Sequence, residues 1–221
     1  MRKWNKKFYR DKYFWIGILC ITLAVASYTY FKQPVHSVTN TTSTSGSESS
    51  ELGDHVNEKI GSVSELRESF EAIQVGNEKT GEGGSTKKQI NSSLGSPNMK
   101  MEDYLEGEKV FTYTWHNFPW ESPMPMLSVS YKNDKVVNKS LYFSNEKMKD
   151  QLFNQAEFDG LQLTDTYTRE DLVERFGYPD LETVAHSEMG VYEYYNWFRS
   201  NGTYSINLQD NQLKEKRHNT D

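Results

Sequence analysis

The chain of 221 residues holds 25 basic and 31 acidic residues, a net charge of −6. It is 14% aromatic but only 35% hydrophobic, so small cores filled by large rings are expected under much polar surface. The charge is segregated: residues 1–13 carry Arg2, Lys3, Lys6, Lys7, Arg10 and Lys12 against Asp11 alone, which leaves the body acidic and excludes nucleic acid as its partner.

Beyond the basic tail, 1–13, comes Phe14–Phe31, FWIGILCITLAVASYTYF, with no charged residue. At 1.5 Å per residue it spans about 27 Å, enough for a single transmembrane helix. Trp4, Tyr13, Trp15, Tyr28 and Tyr30 lie near its ends like interfacial belts. The positive-inside rule keeps the tail in the cytoplasm and sends residues 32–221 outside. The competing reading is secretion after signal-peptide cleavage near Ala26, because Ala24-Val25-Ala26 is an A-x-A site. The apolar run continues past that site, which favours the anchor. Cys20 is the only cysteine and sits within the span. The outer part therefore has no disulfide, thiol nucleophile or thiolate metal site, and a Gram-positive bacterium is the expected source. Residues 32–60, including HSVTNTTSTSGSESSELGD, read as a disordered Ser/Thr-rich linker.

One pattern then occurs twice. Thr86, Gly95, Pro97, Tyr113 and Trp115 return 82 residues later as Thr168, Gly177, Pro179, Tyr195 and Trp197, which indicates a duplicated module. Each copy opens with a helix, near Val63–Phe70 and near Asn145–Phe158. The hexapeptides FEAIQV and FDGLQL follow at a spacing of 88, so the first copy has six extra residues in the loop GNEKTGEGGS. Second helices begin at capping boxes, Thr86–Gln89 and Thr168–Asp171, and stop at Gly95 and Gly177. Strands are read over Lys109–His116, Leu127–Tyr131, Lys135–Asn138 and Leu141–Phe143, then Val191–Phe198, Tyr204–Leu208 and Leu213. Alternation turns Tyr113, Trp115, Tyr195 and Trp197 toward the helices, leaving Thr112, Thr114, Ser128, Ser130, Tyr194 and Asn196 on the other face. The expected fold class is α+β: two tandem helix-helix-three-strand modules, 61–143 and 144–216, with helices packed on one face of an antiparallel sheet. A transmembrane helix precedes them and a tail, 217–221, follows.

The order of elements, Gly95-Ser96-Pro97 with Gly177-Tyr178-Pro179, and Tyr113-Thr114-Trp115 with Tyr195-Asn196-Trp197 resemble the beta-lactamase inhibitor protein (BLIP) fold. BLIP-like proteins of Gram-positive bacteria, secreted or anchored, carry this module in tandem. The SmpA/OmlA outer-membrane lipoprotein family carries it singly. Over residues 61–216 the resemblance implies a long sheet whose open face binds a protein, with inhibition in the best-known case. The disulfides of the namesake are absent, and its inhibitory contact residues are not carried over.

No constellation for chemistry is evident. His36, His55, His116, His186 and His218 lack metal-ligand spacing. Ser85–Lys88 and Ser144–Lys147 spell S-x-x-K, but Lys79-Thr80-Gly81 precedes Ser85 instead of lying far downstream. No catalytic residue, metal or cofactor is expected, and the chain reads as a non-enzyme. The binding candidates are His116, Tyr192, Tyr194 and Phe198 on the open face, and Phe118 and Trp120 in the proline-rich loop HNFPWESPMPM. That loop either anchors a partner or folds back to cover a strand edge or the seam between copies. The functional expectation is a membrane-anchored extracytoplasmic protein-binding module, in a narrower version an inhibitor of an extracellular enzyme. Its partners are then the membrane, through Phe14–Phe31, and an extracytoplasmic protein or envelope ligand, met where the copies differ. The alternative is a structural or assembly scaffold of the cell envelope.

Overall fold

A computed structural model describes residues 49–53, 55–105, 108–120, 124–144 and 153–220. The basic tail, the Phe14–Phe31 segment and the linker up to residue 48 lie outside the described residues. Nine strands form one antiparallel sheet in chain order: β1 Ser49–Glu51, β2 Met99–Leu105, β3 Glu108–Trp115, β4 Met124–Lys132, β5 Lys135–Ser144, β6 Leu181–Ser187, β7 Gly190–Arg199, β8 Gly202–Gln209 and β9 Gln212–Asn219. Helices α1 (Val63–Ala72) and α2 (Lys87–Leu94) precede β2, and α3 (Gln155–Gly160) and α4 (Arg169–Phe176) precede β6.

This corrects the expected fold class. Among the described residues the chain is mostly sheet, with eight long strands, the short β1 and few helices, none longer than 10 residues. Each expected three-strand module has four long strands, β2–β5 and β6–β9, and β5 pairs directly with β6 in one continuous sheet. Two long strands escaped the sequence reading. β2, MKMEDYL, is too charged to show alternation. β6, LETVAHS, turns Glu182 inward and Leu181 outward, the reverse of a hydrophobic pattern. Among the described residues no helix is long and apolar enough to cross a membrane. Of the stretch read as linker, Ser49–Glu51 pairs with β2 as β1, and the Asn57 side chain donates to Leu94 O at 2.6 Å.

Local chemistry explains the elements. Ser62 caps α1, accepting from the Glu65 amide. Thr86 and Thr168 form full capping boxes with Gln89 and Asp171. Gly95 (φ 83°) and Gly177 (φ 74°) end α2 and α4 in the left-handed region. Their carbonyls accept from the indoles of Trp115 and Trp197, each at 3.0 Å. Hairpins β4–β5 and β8–β9 turn through Asn133-Asp134 and Asp210-Asn211, all four with positive φ, as a tight two-residue turn requires.

The helices lie over one face, where two apolar cores form. One gathers Leu66, Phe70, Ile90, Leu94, Trp115, Leu127 and Val129. The other gathers Phe158, Leu172, Phe176, Tyr195, Trp197, Tyr204 and Ile206, with Phe153 stacked on Tyr204 at 4.1 Å. Between them, over β5 and β6, runs a buried charged seam. Arg169 grips Glu182, 2% exposed, through two hydrogen bonds and also pairs with Glu71 of α1. Lys139 donates to Phe70 O and Ile73 O, closing the C-terminal end of α1. Arg67 lies between the rings of Phe143 and Tyr178, 4.3 and 4.0 Å away.

Candidate binding surface

Cross-strand pairs share a face, so the register defines the side of the sheet without helices. One row runs Thr112, Ser130, Asn138, Ala185, Tyr192 and Gln209. The next runs Thr114, Ser128, Ser140, Thr183, Tyr194 and Asn207. A third runs Met126, Tyr142, Leu181, Asn196 and Ser205. None of these residues is charged, although charged residues make up 25% of the chain; on β9 the second and third rows continue into Glu215 and Arg217, which pair with each other. In the first two rows the floor from β3 to β6 is paved with small side chains, while β7 raises a ridge of Tyr192, Tyr194 and Phe198.

The hydroxyls of this face bond one another. Thr112 and Ser130 lie 2.8 Å apart, Thr114 and Ser128 3.0 Å, and Ser140 and Thr183 3.0 Å across the β5–β6 joint. Ser205 donates to Asn196 Oδ1 at 2.5 Å, and the Tyr194 hydroxyl donates to Ser205 at 3.4 Å. Each pair satisfies groups that would otherwise hold water, so covering the face costs little in desolvation.

The six sequence candidates divide between two environments. Tyr192, Tyr194 and Phe198 stand half-buried on the open face. Tyr142, absent from the sequence candidates, joins them edge-on to Phe198 at 6.4 Å. It was hidden because the sequence reading broke β5 in two, although the alternation Asn138, Ser140, Tyr142 could have revealed it. His116, half-buried just past β3, donates its amide to Asn98 Oδ1 at 3.0 Å. Phe118 is buried and stacks on Trp120 at 5.0 Å, both packed against the first core. Of the two readings of that loop, the fold-back is the one seen for these rings.

The six-residue insertion also turns inward. Gly76 N donates to Val136 O at 2.8 Å, Glu78 N to His186 O at 2.8 Å, and Lys79 pairs with Glu188. The loop is thus a strap from the β4–β5 hairpin to the β6–β7 hairpin. A Cβ at Gly76 would meet Gly84 N at 2.4 Å, and one at Gly84 would meet Val136 O at 2.3 Å, so both positions need glycine. The expectation that this insertion offers itself to a partner does not fit its packing.

Beneath the face, burial tunes the seam. It pulls Lys139 down to about 8 and Arg67 to about 10. It pushes the Glu193 carboxyl up, with Glu182 adding to the rise. At Arg169 burial is outweighed by the Glu182 carboxylate, and the guanidinium stays charged.

A family model described as a domain of unknown function with a solved structure, DUF3862, matches residues 62–213. The chain belongs to the DUF3862 family. Among solved structures it is similar to a candidate beta-lactamase inhibitor protein from Streptococcus mutans. The identity is 20% and the TM-score 0.53, over 72% of this chain and 98% of that one. The likeness shows a BLIP-like fold. No curated protein sequence matches the chain.

Proposed function

We propose that this DUF3862 member is a protein-binding module, built from a duplicated unit, that captures an extracytoplasmic protein on its open sheet face. The face, uncharged from β3 to β8, with its hydroxyl-paired floor and the ridge Tyr192, Tyr194, Phe198 and Tyr142, carries the reading. Rings in a neutral, easily dehydrated setting are what the centre of a protein interface needs. The similarity in fold to a candidate beta-lactamase inhibitor protein supports the same role, with inhibition of an extracellular enzyme as its narrower form. Binding, not catalysis, is the activity proposed. The apolar Phe14–Phe31 segment behind a basic tail supports a membrane anchor that holds residues 32–221 outside the cell. His116 lies at the rim of the proposed contact, while Phe118 and Trp120 support it from the core side.

Photo-cross-linking side chains placed singly at Thr114, Tyr194 and Asn207, and on the helix side at Glu68 and Lys88, test this in cells. One protein partner trapped from the first three sites and not from the last two is the expected result, and Tyr194→Ala with Phe198→Ala should abolish it. The same yield from both sides would refute the surface. Protease treatment of intact cells checks the location separately: residues 32–221 should be accessible.

A further inference from the structure

Strands β5 and β9 are counterparts 77 residues apart. Their hairpins share a bulge, at Ser130/Tyr131 and at Asn207/Leu208. Each inward lysine closes a helix end: Lys139 donates to Phe70 O and Ile73 O, and Lys216 donates to Phe158 O and Asp159 O. The edges beyond them differ. On β5, residues 138–142 pair with 185–181 of β6. On β9 the equivalent stretch, Glu215–Asn219, has β8 on one side and, among the described residues, no strand on the other. The Thr164–Thr166 segment covers only the start of β9, through Leu213 and the Thr166–Gln212 bridge.

The occupied lane shows what chemistry suits the open one. β6 sets Glu182, held by Arg169, opposite Leu141 in the same-face pair next to Lys139, and the Thr183 hydroxyl 3.0 Å from that of Ser140. On β9 Arg217 pairs with Glu215 and His218 stacks on Tyr204 at 4.1 Å, which leaves Lys216, the counterpart of Lys139, with no carboxylate paired to it among the described residues. Another copy of the chain is a poor occupant. Its β2 is the counterpart of β6, but has Lys100 where β6 has Glu182, and β2 is already paired with β1. End-to-end addition would place Lys100 beside Lys216, a like-charge contact of the kind that protects sheet edges from self-pairing.

We propose that the outer edge of β9, Glu215–Asn219, is a docking lane for an extended acidic segment of a partner protein, which adds antiparallel as a tenth strand. Its backbone completes the ladder, and a carboxylate on the helix side takes beside Lys216 the place that Glu182 takes beside Lys139. The lane is the backbone edge of β9; Glu215 and Arg217 border the open face beside Asn207 and Ser205, but the edge pairing does not depend on the function proposed for that face.

The probe is a peptide with the sequence of residues 179–187 of this chain, titrated into the full chain while backbone amide exchange is followed. Exchange in Glu215–Asn219 should slow at least tenfold at saturation, with 138–142 unchanged. A peptide carrying Glu182→Lys should bind roughly tenfold more weakly, since reversal replaces an attraction by a repulsion. Arg217→Glu in the full chain should weaken the original peptide and leave thermal stability in place. Three results overturn the proposal: no protection at millimolar peptide, equal binding of the lysine peptide, or protection appearing on β5 instead.

Discussion

In the first half of the molecule Lys87, the first residue of α2, reaches the Tyr113 hydroxyl at 2.6 Å. In the second half the equivalent residue, Arg169, turns to Glu182 and Glu71 instead, and the Tyr195 hydroxyl faces Glu193. Yet Trp115 and Trp197, two residues further along, are fully buried and bonded alike. Positions that build a core are thus the same in both halves, and positions that meet the seam differ. Where the halves meet, the difference lies in charges and not in core residues. The strap 76–84 belongs to the same set: it exists only in the first half and fastens it to the second.

Four measurements would break or sharpen that comparison. Trp115→Ala and Trp197→Ala should each cost about 3–5 kcal/mol in chemical denaturation. Amide exchange should show each loss centred in its own half, and equal opening of both halves would contradict two separate cores. Next, Glu182→Gln leaves Arg169 without its buried carboxylate and should cost about 3 kcal/mol. At the counterpart, Lys100→Gln should cost less than about 1 kcal/mol, because Lys100 covers the rings of Phe111 and Tyr113, 4.1 and 6.0 Å away, rather than pairing with a buried carboxylate. Similar losses at both would mean the seam is not specialised. Gly84→Ala should lose about 1–3 kcal/mol of thermal stability by driving the strap off Val136 O. Gly160→Ala, with nothing within 4 Å of its Cβ, should stay within about 0.5 kcal/mol. The smallest effect concerns pH. The folded Glu193 carboxyl titrates above its unfolded value, so its contribution is complete below about pH 4.3 and is lost as pH rises through the folded value. Glu193→Gln should therefore melt higher than wild type at pH 7, with the gap closing toward pH 4. A gap independent of pH would show that the carboxyl is not the source.

Caps, stops and inward rings were legible in the sequence because each depends on neighbours within a few residues. Thr86, Gly95 and Trp115 needed only their own turn and strand. The open-face residues followed from alternation in β3 and β7, and Tyr192, Tyr194 and Phe198 lie where that alternation put them. What depended on distant partners was not legible. Glu182 points inward because Arg169 waits there, 13 residues earlier in the chain and across the sheet. Phe118 and Trp120 look like an exposed anchor in a proline-rich loop, but the first core extends far enough to take them. The strap looked like a tolerated surface insertion, since nothing local reveals that Glu78 N will meet His186 O.

The hydroxyl ladder from Thr112 to Thr183 has a consequence for the heat of any encounter on that face. One O–H of each pair is already bonded within the face, so covering it exchanges fewer bonds with water than free hydroxyls would, and the rings of β7 supply most of the change. Association should therefore show a negative heat capacity change set by those rings. With no charge from β3 to β8, and with Glu215 and Arg217 of β9 paired to each other, it should also depend less on ionic strength than anything drawn to Lys216 at the β9 edge. Calorimetry at two salt concentrations would tell which side of the molecule a newly found partner has met.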